Sequence, residues 1–207
     1  MVARGGRKRW ARPKAQRHRI ATLDTTAAIG AKPARYDAGS HSHHPALYHA
    51  PLAKGDEASL FPTLSDAEQC RYLSHPPFGD EAQLWDWLAA PDWPGRSWIA
   101  VDKAGEIAGR FVAVPAHADN VFEIGYIVCM DRQGEGIASE CAAALIQHLW
   151  QEGARKLTAE LDTRNTASIR LIEKLGFTQE AHLREHEETH IGMCDVYWYG
   201  LLSSEAP

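Results

Sequence analysis

The sequence predicts an α/β protein: a single mixed, mostly antiparallel central sheet flanked by helices. Two observations carry this. Residues 96–129 form three alternating apolar runs broken by turn signals, the pattern of a meander. Beyond them the periodicity switches repeatedly, giving strand–helix–strand–helix–strand, and so helices packed on a sheet.

The elements follow in order. A weak strand is expected at 34–37, and short helices at 45–50, 66–73 and 81–89; in the last, Leu84, Trp85 and Leu88 share one face. "RSWIAVDK" and "IAGRFVAVP" read as strands joined by "DKAGE", a hairpin signal. "HADN" turns the chain into the strand "VFEIGYIVC". After Gly136 the apolar residues Ile137, Cys141, Leu145 and Leu149 recur every four positions, so a helix starts there. Gly153 is placed to end it as the residue just beyond the last turn. "KLTAELD" is a strand. "TASIRLIEKLG" is a helix with Ile169, Ile172 and Leu175 inward and Gly176 at its end. "FTQEAHLRE" and "MCDVYWYGLL" are a closing pair of strands, and no segment repeats.

A chain of 207 residues, 44% hydrophobic, suits one domain and a tail. No run approaches the ~18 apolar residues of a membrane span. No apolar segment follows the basic start, which argues against a secretory signal. Cys70, Cys129, Cys141 and Cys194 form no CxxC pair and read as reduced thiols of a cytoplasmic protein. Ten of the 22 Lys/Arg and one of the 27 acids fall within residues 1–35, a net +9 against −14 for the remainder. Residues 1–33 are therefore expected to be a basic, disordered tail and residues 34–203 the folded domain. The acidic body would repel phosphate, so a nucleic-acid partner is not expected. The "HSHH" run at 41–44 has no Cys or carboxylate at ligand spacing, and no metal site is expected.

"DRQGEGIASE", residues 131–140, joins a strand to a helix through two glycines. It lacks the Gly-Lys-Ser/Thr ending of a P-loop. Ser139 stands where a dinucleotide fingerprint needs Gly or Ala. Two readings stay open: an anion held by free N–H groups at a helix N-terminus, or a tight turn with no ligand.

The surroundings resemble a known family. "QGEGIA" matches, at Gln133, Gly136 and Ala138, the Q/R-x-x-G-x-G/A pyrophosphate loop of GCN5-related N-acetyltransferases, the GNAT superfamily. "NTASIRLIEKLGF" resembles the N-x-x-S-x-x-x-x-x-K-x-G-F stretch of its RimJ/RimL-type branch. "EAHLREH…CDVYWYGLL" looks like that branch's ending and "YLSHPPFGDEAQLWDWL" like its N-terminal half, so the resemblance spans residues 34–202. Met130 departs from it, standing where the family often has proline.

The resemblance implies the acyl-CoA N-acyltransferase fold and acetyl-CoA as co-substrate, with no metal. It implies that Arg132, Gln133, Gly134, Glu135, Gly136, Ile137 and Ala138 hold the pyrophosphate. The pantetheine would run along residues 123–129, with a backbone N–H of Ile127 or Val128 polarising the acetyl carbonyl. Asn165, which also reads as a helix N-cap, would contact coenzyme A. Ser168 would contact it too and protonate the departing sulfur. Gly125 inside the strand fits close backbone approach or a bulge.

Acetyl transfer to an amine needs a base, because an amine of pKa about 10 arrives protonated. Glu123 lies mid-strand between Phe122 and Ile124, where burial would raise its pKa towards a useful range. Glu187 is the second candidate, matching a carboxylate in some relatives. His182 and His186 compete less well. Asp195 is expected to pair with Arg184. Cys129 as an acetyl carrier lacks a His-Asp partner. The expected activity is direct transfer through a ternary complex to a primary amine, either a protein N-terminal amine or a small amine. An inactive acyl-CoA-binding module and a polyamine- or aminoglycoside-type transferase stay open beside it. The acidic body favours a cationic acceptor, and Trp85, Trp87 and Trp93 are either core or acceptor pocket. No membrane partner is expected, and the chain would be a monomer or homodimer.

Overall fold

The computed structural model describes residues 48–205. The chain runs β1 (Tyr48–Pro51), α1 (Asp56–Leu64), α2 (Glu81–Leu88), β2 (Arg96–Val101), β3 (Ile107–Pro115) and β4 (Val121–Val128). It continues through α3 (Ile137–Gln151), β5 (Lys156–Asp162), α4 (Thr166–Lys174), β6 (Thr178–Thr189) and β7 (Gly192–Leu202). The strands form one sheet in the order β1-β2-β3-β4-β5-β7-β6. Every neighbouring pair is antiparallel except β4 and β5. Among the described residues no helix is long and apolar enough to cross a membrane.

The local chemistry explains the second half well. Ile137, Cys141, Leu145 and Leu149 are the buried stripe of α3. Gly153, at φ 88°, takes the left-handed conformation that ends the helix cheaply. Asn165 caps α4 by accepting from the Ser168 N–H at 3.2 Å. These two helices cover one sheet face, where Phe111, Ile124, Leu157, Ala159 and Tyr199 meet Leu145, Leu149 and Ile172. On the opposite face Leu60 and Leu64 of α1 and Leu84 and Leu88 of α2 pack on Ile99 and Val101.

Two expected helices are corrected. Residues 48–51 of the stretch 45–50 and its border are a strand, paired with β2; Pro51 is tolerated because β1 is an edge. Residues 66–73 are successive turns rather than a helix. There the Asp66 carboxylate accepts from the N–H groups of Glu68 (3.0 Å) and Gln69 (2.9 Å), offering the backbone an alternative to helical bonding. α1 was hidden by Pro62, which lies inside it. The tail 1–33, the strand expected at 34–37 and the histidines at 41–44 lie outside the described residues.

One topological detail positions the site. β4 and β5 pair over only three positions, Val121↔Lys156, Phe122↔Leu157 and Glu123↔Thr158. Beyond Glu123 the strands part, each held only by its outer neighbour.

Candidate active site

The parting of β4 from β5 leaves backbone groups facing a gap. Cys129 N–H donates to Ala108 O and Ala116 N–H to Val121 O, both at 2.9 Å, in the same unbroken β3–β4 register. Hydrogen-bonded pairs alternate along an antiparallel ladder. Ile127 is thus bonded to Arg110 on β3, while Tyr126 and Val128 direct their backbone groups away from β3, into the gap. Of Ile127 and Val128, only Val128 directs its N–H into the gap; both residues line the cleft that adjoins it. The same register excludes a bulge at Gly125. A Cβ there would stand 3.0 Å from Val112 Cγ2, a contact that Val112 would have to relieve by a small shift.

The glycine turn follows. A 3-10 turn over Met130–Arg132 leads to extended Gln133, then Gly134 and Gly136, both at φ 83°. Gly136 is the N-cap of α3 and supplies no side-chain cap, so the first-turn N–H groups of this 15-residue helix lack intrahelical partners. They border a cleft of about 690 Å³, lined by Gly134, Gly136, Ile137 and Ala138 on one side and Tyr126, Val128, Asn165 and Ser168 on the other. Free amides and the positive helix end suit a phosphate-bearing ligand. The residues present therefore fit the pyrophosphate end of acetyl-CoA.

Other side chains brace this turn. Gln133 Nε2 donates to Val128 O (3.3 Å) and to Gln69 Oε1 (2.7 Å). Arg132 is paired with Asp102 (3.2 Å) and Glu135 (3.1 Å). Burial opposes its charge, but these carboxylates outweigh it and raise its pKa. Glu135, expected among the cofactor residues, does not line the cleft; its side chain holds Arg132. Met130 N–H donates to Thr63 Oγ1 at 2.9 Å, a bond that a proline at this position would forfeit.

A second cavity, about 330 Å³, opens from the same seam. Tyr126, Ile127, Asn165 and Ser168 line both. The second adds Glu123, Glu160 and Glu187, together with Arg110 and Trp87. Burial, then the neighbouring Glu160 and Glu187, raise the pKa of Glu123. Burial and Glu187 raise that of Glu160, while His186, 3.4 Å away, opposes. Tyr126 is raised by burial, partly offset by its contact with Ser168. The register explains how Glu187 arrives here: β6 is interrupted between Leu183 and Glu187, with Glu185 at φ 47°, and pairing resumes at Glu187↔Cys194.

One expected pairing is corrected, and the other candidates are located. Asp195 pairs with His182 (2.9 Å) and accepts from Glu185 N–H (2.9 Å); Arg184 adds only longer-range charge. Neither His182 nor His186 lines either of these two cavities. Cys129 is buried among apolar side chains, and burial with Asp131 nearby pushes its thiol up to about 11, so it holds no thiolate. Trp85 sits beneath Lys54, Trp87 lines the second cavity, and Trp93 stacks on Arg110. Arg110, Tyr126 and Glu160 were not singled out from the sequence. Strand alternation was the available signal, since it places Arg110 and Glu160 on the face of Glu123.

Residues 47–178 match the acetyltransferase (GNAT) domain. The chain is 30% identical over 149 residues to an uncharacterized N-acetyltransferase, p20, of Bacillus licheniformis, covering 68% of this chain and 84% of that one. It is 34% identical over 143 residues to the uncharacterized protein YkkB of Bacillus subtilis, covering 63% and 80%. A spermidine N-acetyltransferase from Vibrio cholerae, in complex with CoA and spermine, superposes with a TM-score of 0.67 at 19% identity, over 77% of this chain and 96% of that one. This last likeness concerns the fold. The protein belongs to the GNAT acetyltransferase family. It is an acyltransferase, and acetyl-CoA is its co-substrate.

Proposed function

We propose that this protein, a member of the RimJ/RimL-type branch acting in the cytoplasm through residues 34–203, moves the acetyl group of acetyl-CoA directly to a primary amine in a ternary complex. The observation that carries this is the seam at Tyr126, Asn165 and Ser168, where a cleft edged by free helix amides meets a cavity holding three carboxylates. Pyrophosphate rests on the amides from Gly134 to Ala138. The Val128 N–H donates to the acetyl carbonyl oxygen, where negative charge develops as the amine attacks; one such donor is worth roughly 2.7–4 kcal/mol of barrier.

Glu123 takes the proton that the ammonium must lose. Its raised pKa brings it nearer to neutrality, where a base is most effective. Glu160 and Glu187 hold negative charge beside it and draw the cation in. Glu187 is the substitute base if Glu123 only positions the acceptor. Ser168, in the first turn of α4, donates to the leaving thiolate. The test is thiol release from acetyl-CoA with panels of peptides and small amines. Acetyl-CoA binding with no release on any amine would leave an acyl-CoA-binding module in place of a transferase.

A further inference from the structure

Arg110 is a buried charge that the transfer chemistry above does not use. It is only 6% exposed, yet no carboxylate pairs with it among the described residues. Its Nε and Nη2 both donate to Ser97 Oγ, at 3.1 and 2.8 Å. The rings of Trp87 and Trp93 each lie 5.0 Å from the guanidinium carbon. Burial lowers its pKa to about 10, which leaves it charged at neutral pH. A charge is costly to bury without a counter-charge. Two indole faces and one hydroxyl fix the plane of the fork, and the Nη1 side is left over.

That side chain belongs to the acceptor cavity, whose lining includes Arg110, Val112, Gly125 and Glu123. Arg110 and Val112 sit opposite Ile127 and Gly125 in the β3–β4 register, and Glu123 lies one alternate position further along the same face. Gly125 has no side chain to interrupt the path between them. The cavity therefore has a cationic end at Arg110 and an anionic end at Glu123, Glu160 and Glu187. Arg110 and Glu123 are about 13 Å apart along the strand at ~3.3 Å per residue, a span that their side chains shorten. A volume of about 330 Å³ is that of a small-molecule pocket.

Resting on the transferase reading above, we infer that the acceptor is a small amine that also bears a carboxylate or similar oxyanion, an amino-acid-like molecule whose anion is gripped by Arg110 while its amine faces Glu123. Guanidinium forks recognise planar oxyanions with two parallel hydrogen bonds. A polyamine has no group for that end and would bring positive charge to a buried cation.

The test compares α- and ω-amino acids with their primary amides, with spermidine as an anion-free acceptor. The enzymes are the parent, Arg110→Met and Arg110→Lys. The readout is the acid-to-amide ratio of kcat/KM within each enzyme. Partial misfolding cancels in that ratio, and the amine's own basicity cancels between enzymes. The expected result is a parent preference of at least tenfold for the acid in one pair, lost in Arg110→Met and partly kept in Arg110→Lys. If Arg110→Met does not fold, the parent and Arg110→Lys ratios decide. Equal ratios in parent and variants, or turnover of spermidine and other anion-free amines alone, would overturn the inference and leave the transferase reading intact. No thiol release with any amine, despite acetyl-CoA bound by calorimetry, would overturn both.

Discussion

The phenol of Tyr126 reaches the backbone carbonyl of Ser168 at 3.5 Å, joining β4 to the first turn of α4 across the gap between β4 and β5. Both residues line the junction of the two cavities. If Ser168 protonates the thiolate, Ser168→Ala lowers kcat about 10²-fold and the loss persists at high pH. Tyr126→Phe then costs less than tenfold. Steady-state rates of the two variants across pH decide; the reverse order would give the donor role to Tyr126.

Glu123→Gln should lower kcat/KM by about 10²–10⁴-fold near neutral pH, the usual worth of acid–base catalysis. Much of the loss should return as pH rises, because more acceptor arrives unprotonated. A parent-like rate and pH profile in this variant would move the base to Glu187.

The same substitution has an opposite effect on stability. Glu123 has a raised pKa in the folded state, so the native protein holds a proton that the unfolded chain releases. Its ionised form therefore costs stability as pH rises from the ordinary carboxyl range through the folded pKa. Glu123→Gln should melt higher than the parent at neutral pH, and the difference should close at acidic pH. A variant that melts lower at pH 7 would show that the carboxylate holds the fold together.

Ala138→Asp places a carboxylate in the first turn of α3, where it complements the helix dipole and leaves the fold intact. The same charge opposes pyrophosphate. Calorimetry should show acetyl-CoA affinity at least tenfold weaker, about 1.4 kcal/mol, with an unchanged or raised melting temperature. Unchanged affinity would remove the loop from the cofactor site.

Asn165→Ala deletes the cap that accepts from Ser168 N–H. Chemical denaturation should show a loss of about 1 kcal/mol, or roughly 2–4 °C in Tm for a domain of this size. No change in stability would show that solvent caps α4 equally well.

The strands and helices after residue 95 were legible because glycine, periodicity and turn residues agree there. Gly136, Gly153 and Gly176 punctuate α3 and α4 where the spacing of apolar residues predicts. Asn165, Ser168 and Glu123 could likewise be chosen from local pattern and family likeness. The region before residue 80 was not legible, because the turn bonds of Asp66 and the proline inside α1 override the hydrophobic pattern. Arg110 stayed hidden for a different reason. A polar residue in an alternating strand ordinarily faces water, and only the docking of Trp87 and Trp93 over that face buries it. Glu160 was missed in the same way, since its neighbours in the cavity come from β4 and β6, distant in sequence.

The three-rung seam between β4 and β5 makes β4 central by position but an edge by hydrogen bonding. Exposed strand edges invite pairing with other chains. A co-substrate lying along Tyr126 and Val128 would blunt this edge as well as deliver an acetyl group. Binding there should make stability rise with the logarithm of acetyl-CoA concentration and slow amide exchange at those two positions, with the bare protein the more prone to pair through this edge.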